Sequence, residues 1–168
     1  MNKGKVKAIL KSNVMLIILI LLVCVFSILS PSFLSVKNMM NICTQNAYFV
    51  IAAIGVAVIM ISGGTDLSVG YIISVVGVCV AIFMQRFGLP VPVAILLGLI
   101  LGGAMGCFNG FAANLLKIHP MIVTLATMTI FQGISYTISK SQSFFNFSPS
   151  YKVIGQGYVG IVSVPVII

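Results

Sequence analysis

Acidic residues are almost absent from this sequence. One carboxylate, Asp66, serves 168 residues, there is no Glu, and charged residues of both signs make up only 6%, against about a quarter in an ordinary soluble domain. A water-soluble globule needs a polar shell, and this chain cannot build one. A single acid also leaves no carboxylate pair for general acid–base work. No G-x-x-x-x-G-K-[ST] phosphate loop, no G-x-S-x-G and no H-E-x-x-H occurs, so neither nucleotide binding by such a loop nor hydrolase chemistry is expected. No Arg-rich helix is available as a voltage sensor. The four cysteines, Cys24, Cys43, Cys79 and Cys107, make no C-x-x-C pair, and no His stands at metal-ligand spacing from them. Neither a disulfide nor a metal site is expected, and three of the four lie in apolar runs, where Cys acts as a small hydrophobe.

What is present is apolar. Hydrophobic residues are 60% of the chain, which excludes disorder and points to a polytopic helical membrane protein. The net charge of +8 has a telling placement: Lys3, Lys5, Lys7 and Lys11 crowd the first residues, and five cations stand singly between apolar runs. That is the pattern of loops flanking membrane spans, so lipid is an expected partner and nucleic acid is not. The lysine-led start resembles a signal peptide, but the apolar stretch after it ends in Ser30-Pro31-Ser32 without a small-x-small cleavage site and reads as an uncleaved first span.

The expected fold is all-α: a polytopic transmembrane helical bundle of five complete spans plus the start of a sixth. A cytoplasmic basic tail covers 1–13 and a partial transmembrane domain covers 14–168, with spans at about 14–30, 47–62, 67–85, 91–116 and 121–139 and a sixth from about 163, each complete span being long enough, or nearly so, for about 30 Å of hydrocarbon. The second has an alternative start near Ser35, as a helix entering along the interface. Gly63-Gly64, Gly88 with Pro90 and Pro92, and His119-Pro120 separate the spans. Pro120 reads as a helix start, since the first turn leaves that N–H unpaired in any case. Tyr48, Tyr71 and Tyr136 fall near span ends, where amphipathic rings favour the membrane interface. Four lysines ahead of the first span place the N-terminus in the cytoplasm; alternation then puts 63–66 and 117–120 inside and 31–46, 86–90 and 140–162 outside. Residues 163–168 begin a new apolar run too short to cross a bilayer, which reads as a piece of a longer protein.

Three patterns carry polar or packing chemistry. The strongest is Gly63-Gly64-Thr65-Asp66-Leu67-Ser68-Val69-Gly70. Asp66 either caps the following helix, whose N-terminus favours negative charge, or marks a break at membrane depth that lines a polar cavity with Ser68 and Thr65. In the fourth segment Ala94, Gly98, Gly102, Gly106 and Gly110 recur every fourth residue and end in Asn114, a flat stripe that allows close helix packing where lipid offers no hydrophobic drive. Asn109, beside Gly110, is either interhelical glue or part of a solute path. In the fifth segment Thr129, Gln132, Tyr136 and Ser139 fall in one arc at about 100° per residue; such a row serves either interhelical hydrogen bonds or a solute path. His119 reads as an interfacial residue rather than a proton relay, since no acid is near it in sequence.

The residues Leu29-Ser30-Pro31-Ser32-Phe33-Leu34, Asn38, Asn41-Ile42, the Gly63–Gly70 segment, Pro120–Met128, Gly133 and Val164-Pro165-Val166 resemble the permease subunits of bacterial monosaccharide ABC importers of the ribose, galactose, xylose and arabinose type. The resemblance covers nearly everything from residue 27 onward. Permeases for nucleosides or branched-chain amino acids carry different residues at the Gly-Thr-Asp-Leu-Ser segment; autoinducer-2 permeases share it. The resemblance implies a fold of about ten helices in the inner membrane, paired with a second permease subunit and docked on two ABC ATPase subunits, with a periplasmic or lipoprotein sugar-binding protein delivering the sugar. It also implies a coupling loop after the sixth span. ATP would be bound by the ATPase partners and no cofactor by this chain. Asp66, Ser68, Asn109, Thr129, Gln132 and Tyr136 are the expected path residues, and Gly98, Gly102, Gly106 and Gly110 the packing residues. The rival readings are an ATP-independent secondary transporter or channel and a non-transporting scaffold; carriers of the first kind place ionisable groups within their spans, and only Asp66 is available.

Overall fold

Long apolar stretches broken by Gly and Pro leave the backbone one economical solution, the α-helix, which satisfies its own N–H and C=O groups. The computed structural model describes residues 13–160 and 162–167; the lysine-rich tail expected over 1–13 lies outside them except for Asn13. Among the described residues seven helices run in chain order as α1 Val14–Leu29, α2 Val36–Ile61, α3 Val69–Gln85, α4 Val91–Leu116, α5 Pro120–Ser139, α6 Pro149–Gln156 and α7 Val164–Ile167. Between the last two lies a two-residue antiparallel hairpin, β1 Tyr158–Val159 with β2 Val162–Ser163. The fold is helical as expected, with this hairpin as the departure from an all-α chain. By its internal contacts the chain divides into two compact units, one up to Gln45 and one from Asn46 onward.

In the first unit, α1 is apolar on every face and buries none of its residues within the chain, as a helix meant for lipid or for other helices must. Phe26 and Phe33 stack with ring centroids 5.8 Å apart. Ser35 caps α2: its Oγ accepts the Asn38 N–H at 3.2 Å and donates to Ser32 O at 2.7 Å, while Asn38 Nδ2 donates to Phe33 O at 2.7 Å. This cap is why α2 starts at Val36 rather than near Ala47. Hydropathy rises only after the polar residues Lys37, Asn38, Asn41, Thr44, Gln45 and Asn46, but helix formation needs local hydrogen bonds and a cap, not apolar side chains.

In the second unit, α3 packs against both α4 and α5, which also touch each other. Val75, Met105 and Phe131, one from each helix, meet in the core with Ile72, Cys79 and Leu101 around them. α4 crosses α3 closely at Gly98, where an added Cβ would lie 2.5 Å from Val80 Cγ2, and at Gly102, where it would lie 3.4 Å from Val76 Cγ2. Ser74 on α3 and Ser135 on α5 share a 2.8 Å hydrogen bond. Interhelical hydrogen bonds of this kind contribute about 0.6 kcal/mol on average. A double-mutant cycle of Ser74→Ala and Ser135→Ala, read by unfolding in detergent, is therefore expected to give a coupling of about that size; additive single effects would remove the bond from the account. Beyond α5, Gln85 Nε2 donates to Phe145 O at 2.6 Å and Tyr48 Oη donates to Gly155 O at 2.6 Å, tying the 140–157 segment to α3 and α2.

Three helices, α2, α4 and α5, are long and apolar enough to cross a membrane. The other two expected spans are apolar but shorter, 16 residues in α1 and 17 in α3, and at about 1.5 Å per residue each reaches only about 25 Å. The structure thus supports a polytopic helical protein with three full-length spanning helices among the described residues, and α1 and α3 as two shorter apolar helices beside them.

Candidate functional site

The site forms where α2 and α4 end and α3 and α5 begin. α2 closes on Gly63, whose φ of +82° is the left-handed conformation that ends helices at glycine; Gly63 and Gly64 donate back to Met60 O and Ile59 O. α4 closes on Lys117, also left-handed at φ 53°, with the Ile118 N–H reaching Ala113 O. α5 opens on Pro120, with His119 Nδ1 accepting the Met121 N–H at 3.3 Å. These reversals bring the Gly63–Ser68 segment against the lower half of α4 and the first turns of α5.

Asp66 does not cap the first-turn amides of α3. Its Oδ1 accepts from Ser68 twice, from the backbone N–H at 2.7 Å and from Oγ–H at 2.6 Å, closing a two-residue turn of the kind short carboxylates favour. Ser68 is itself the residue before the helix and is fully buried. Its Oγ, with its proton committed to the carboxylate, accepts from Asn109 Nδ2 at 2.7 Å. The carboxylate thus fixes the orientation of the whole chain: a charge-assisted O–H···O⁻ bond is stronger than a neutral one, so the hydroxyl points at Asp66 and the amide must present its NH₂ to Ser68. Asn109, 4% exposed, is left with an Oδ1 for which no donor is found among the described residues.

Thr124 completes the wall. Its Oγ1 accepts the Leu67 N–H at 3.2 Å and lies 3.3 Å from both Thr65 O and Met121 O, one of which takes its proton. One hydroxyl thereby holds the loop to α5. A cavity of about 410 Å³ adjoins this cluster, lined among others by Asp66, Asn109, Thr124, Gly106, Gly110 and Asn114.

The residues singled out in the sequence therefore separate into two groups. Asp66, Ser68 and Asn109 are brought together. Thr129, Gln132 and Tyr136 are not: Thr129 is exposed with its Oγ1 turned back to Ala126 O at 2.7 Å, Tyr136 is exposed, and Gln132 is half-buried. The polar row that α5 buries is instead Thr124, Thr127, Ser135 and Ser139, of which only Ser139 belonged to the expected arc. The expected packing stripe also changes character along α4. Gly98 and Gly102 meet α3, whereas a Cβ at Gly106 or Gly110 would meet nothing within 4 Å. Thr124 was not anticipated; its signal is a hydroxyl four residues after the helix-starting Pro120. Among the described residues no group of three His, Cys, Asp or Glu is placed to hold a metal ion.

Comparison with known proteins places this architecture. Residues 38–164 match the family described as the branched-chain amino acid transport system / permease component. The chain is 42% identical over 110 residues to the inner membrane ABC transporter permease protein YjfF of Escherichia coli K12, covering 66% of this chain and 33% of that protein. It is 36% identical over 151 residues to the D-allose transport system permease protein AlsC of the same organism, covering 89% of this chain and 46% of that one. It is 34% identical over 158 residues to the ribose import permease protein RbsC of Haemophilus influenzae, covering 89% and 47%. The chain spans about half the length, or less, of these curated relatives. No solved structure matches. With most of its length matched by one family, of transport permeases rather than enzymes, this helical membrane chain belongs to the branched-chain amino acid transport system permease family.

Proposed function

We propose that the chain is the part of an ABC importer permease that lines the route of a monosaccharide across the inner membrane. It performs no chemistry; partner ATPase subunits bind ATP, a second permease subunit completes the path, and a periplasmic or lipoprotein sugar-binding protein presents the sugar. In this reading the N-terminus is cytoplasmic, and α1 and α3 serve as fourth and fifth crossings, the bilayer thinning at modest cost to meet their shorter lengths. Nucleotide-driven closure of the ATPases shifts the helices between two packings, a population shift rather than a new structure.

One observation carries this reading: the only carboxylate of an otherwise apolar chain is built into a buried hydrogen-bonded cluster beside a cavity at a helix break. Polar groups buried among spanning helices serve either interhelical hydrogen bonds or a solute route, and the adjoining cavity favours the route. The names of the matched relatives support sugar as the solute. Of the expected path residues, Asp66, Ser68 and Asn109 are the ones this reading places on the route; Thr129, Gln132 and Tyr136, on the outer arc of α5, are proposed to face the path only across a neighbouring subunit or segment.

The test is uptake of radiolabelled monosaccharides by proteoliposomes holding the assembled transporter. Uptake is expected to require both ATP on the ATPase side and the binding protein. Uptake that persists without nucleotide would overturn the importer reading in favour of a secondary carrier.

A further inference from the structure

A second concave surface lies where α3 ends at Gln85 and α4 begins at Val91, away from the Asp66 cluster. α6 is held there by the bond from Tyr48 Oη to Gly155 O. Between α2, α4 and α6 is an apolar cavity of about 560 Å³, whose wall includes Tyr48, Ile51, Ile95, Tyr151 and Ile154, with Lys152 as its one charged side chain. A further space of about 470 Å³ follows the line between α3 and α4, past Ile72, Val76, Leu99 and Gly103, and has no charged residue in its wall. Ile95 and Tyr151 line both spaces, so the two form one groove. From Ile95 to Gly103 on α4, and from Val80 to Ile72 on α3, it runs about 12 Å at about 1.5 Å per residue. That is close to the hydrocarbon depth of one leaflet, half of about 30 Å.

Charge decides what fills such a groove at membrane depth. Within the unit from Asn46 onward, the charged residues at this end are Arg86 just beyond α3, Lys140 just beyond α5 and Lys152 on α6, while the one acid of the chain stands before the far end of α3. Lys152 is exposed at the mouth of the groove and has no carboxylate near it. An apolar helix laid in the groove would leave that ammonium without a partner. An anionic phospholipid brings an acyl chain for the groove and a phosphate for the ammonium. Basic side chains beside clefts between spanning helices recognise headgroups in this way, and a short helix carrying Lys and Tyr beside apolar residues suits the membrane interface. We infer that this groove seats one anionic phospholipid, with an acyl chain between α3 and α4 and its phosphate on Lys152. The inference rests on the chain lying in a membrane and is independent of which solute is carried.

The sequence has no tryptophan, so Tyr151→Trp places a single fluorophore where the two spaces meet. The full chain is reconstituted in phosphatidylcholine bilayers. Quenching by phosphatidylglycerol with brominated acyl chains is compared with quenching by phosphatidylcholine brominated in the same way. Phosphatidylglycerol is expected to occupy the site about fivefold more strongly, the effect of one basic side chain at an anionic headgroup. Adding Lys152→Gln is expected to bring the two lipids to equality, and adding Lys152→Arg to keep the preference. Gly103→Leu puts a side chain into the groove where a Cβ would meet nothing within 4 Å, and is expected to reduce the preference although Lys152 remains. Phe108→Trp, exposed on α4 outside the groove, replaces Tyr151→Trp in a control chain and is expected to report no preference. Equal quenching of the Tyr151→Trp chain by both lipids would make the groove ordinary lipid-facing surface. Quenching by neither would mean that a protein segment or a second copy fills it. A preference that survives Lys152→Gln or Gly103→Leu, or that appears equally with Phe108→Trp, would reduce it to general attraction of a cationic chain for anionic lipid. Each of these results overturns the site and leaves the permease reading as it stands.

Discussion

Replacing Asp66 with Ala is expected to lower the unfolding free energy in detergent by about 3 kcal/mol, among the larger effects available to a single polar residue. The loss propagates along the hydrogen-bond chain. Oδ1 accepts both the N–H and the Oγ–H of Ser68, and Ser68 is 0% exposed, so no water takes over when the carboxylate goes. A freed Ser68 hydroxyl has reason to turn toward Asn109 Oδ1, and the Asn109 Nδ2–H bond to Ser68 then loses its acceptor geometry. Asp66→Asn separates geometry from charge. It keeps an oxygen where Oδ1 stands and gives up the charge assistance, which roughly doubles a hydrogen bond; its expected cost is about 1 kcal/mol. Asp66→Glu keeps the charge but cannot close the two-residue turn with the longer side chain, and is expected to fall nearer Ala than Asn. Chemical or thermal unfolding of the four proteins in one detergent checks the order. An Ala variant as stable as the Asn variant would mean that the bonds to Ser68 contribute little and that the cluster does not hold the α2–α3 break.

Much of the helix layout is legible in the sequence because the breakers are strong and the segments between them are long. Pro90 with Pro92 and His119-Pro120 mark the starts of α4 and α5, and Gly63 takes the left-handed turn that ends α2. The start of α2 is less legible, since a serine cap with a 3.2 Å bond to Asn38 does not register in hydropathy. The α5 face shows the deeper limit. Two arcs of this helix carry polar residues, Thr129–Gln132–Tyr136 and Thr124–Thr127–Ser135, with Ser139 on their border. Helical periodicity identifies both arcs but holds nothing about which one meets α3. The structure resolves this through contacts such as Ser74 to Ser135, 61 residues apart, and Leu67 to Thr124, 57 apart. Asn109 and Ser68 are separated by 41 residues, so their pairing was equally out of reach of local pattern, although each stood out singly as a polar residue in an apolar chain.

The glycine stripe of α4 yields the second large effect, and its sign is expected to reverse along one helix. Gly98→Ala places a Cβ 2.5 Å from Val80 Cγ2 and 3.3 Å from Val76 Cγ1. Val80 is 5% exposed and, being β-branched, has little rotamer freedom with which to yield. The helices must separate, and the expected cost is about 2 kcal/mol, typical of overpacking a filled interface. Gly110→Ala, twelve residues along the same stripe, meets nothing within 4 Å and removes only the helix penalty of glycine, so it is expected to stabilise by about 0.5–1 kcal/mol. Sequence periodicity treats the two glycines as equivalent; the structure gives one to α3 and the other to the cavity. Unfolding of the two single variants and the double variant decides the matter. Because no packing contact ties Gly110 to Gly98's neighbours, the double variant is expected to equal the sum of the singles. Two destabilising glycine substitutions would show a stripe that packs along its whole length, and the cavity beside Asn109 would then be closed in the folded protein.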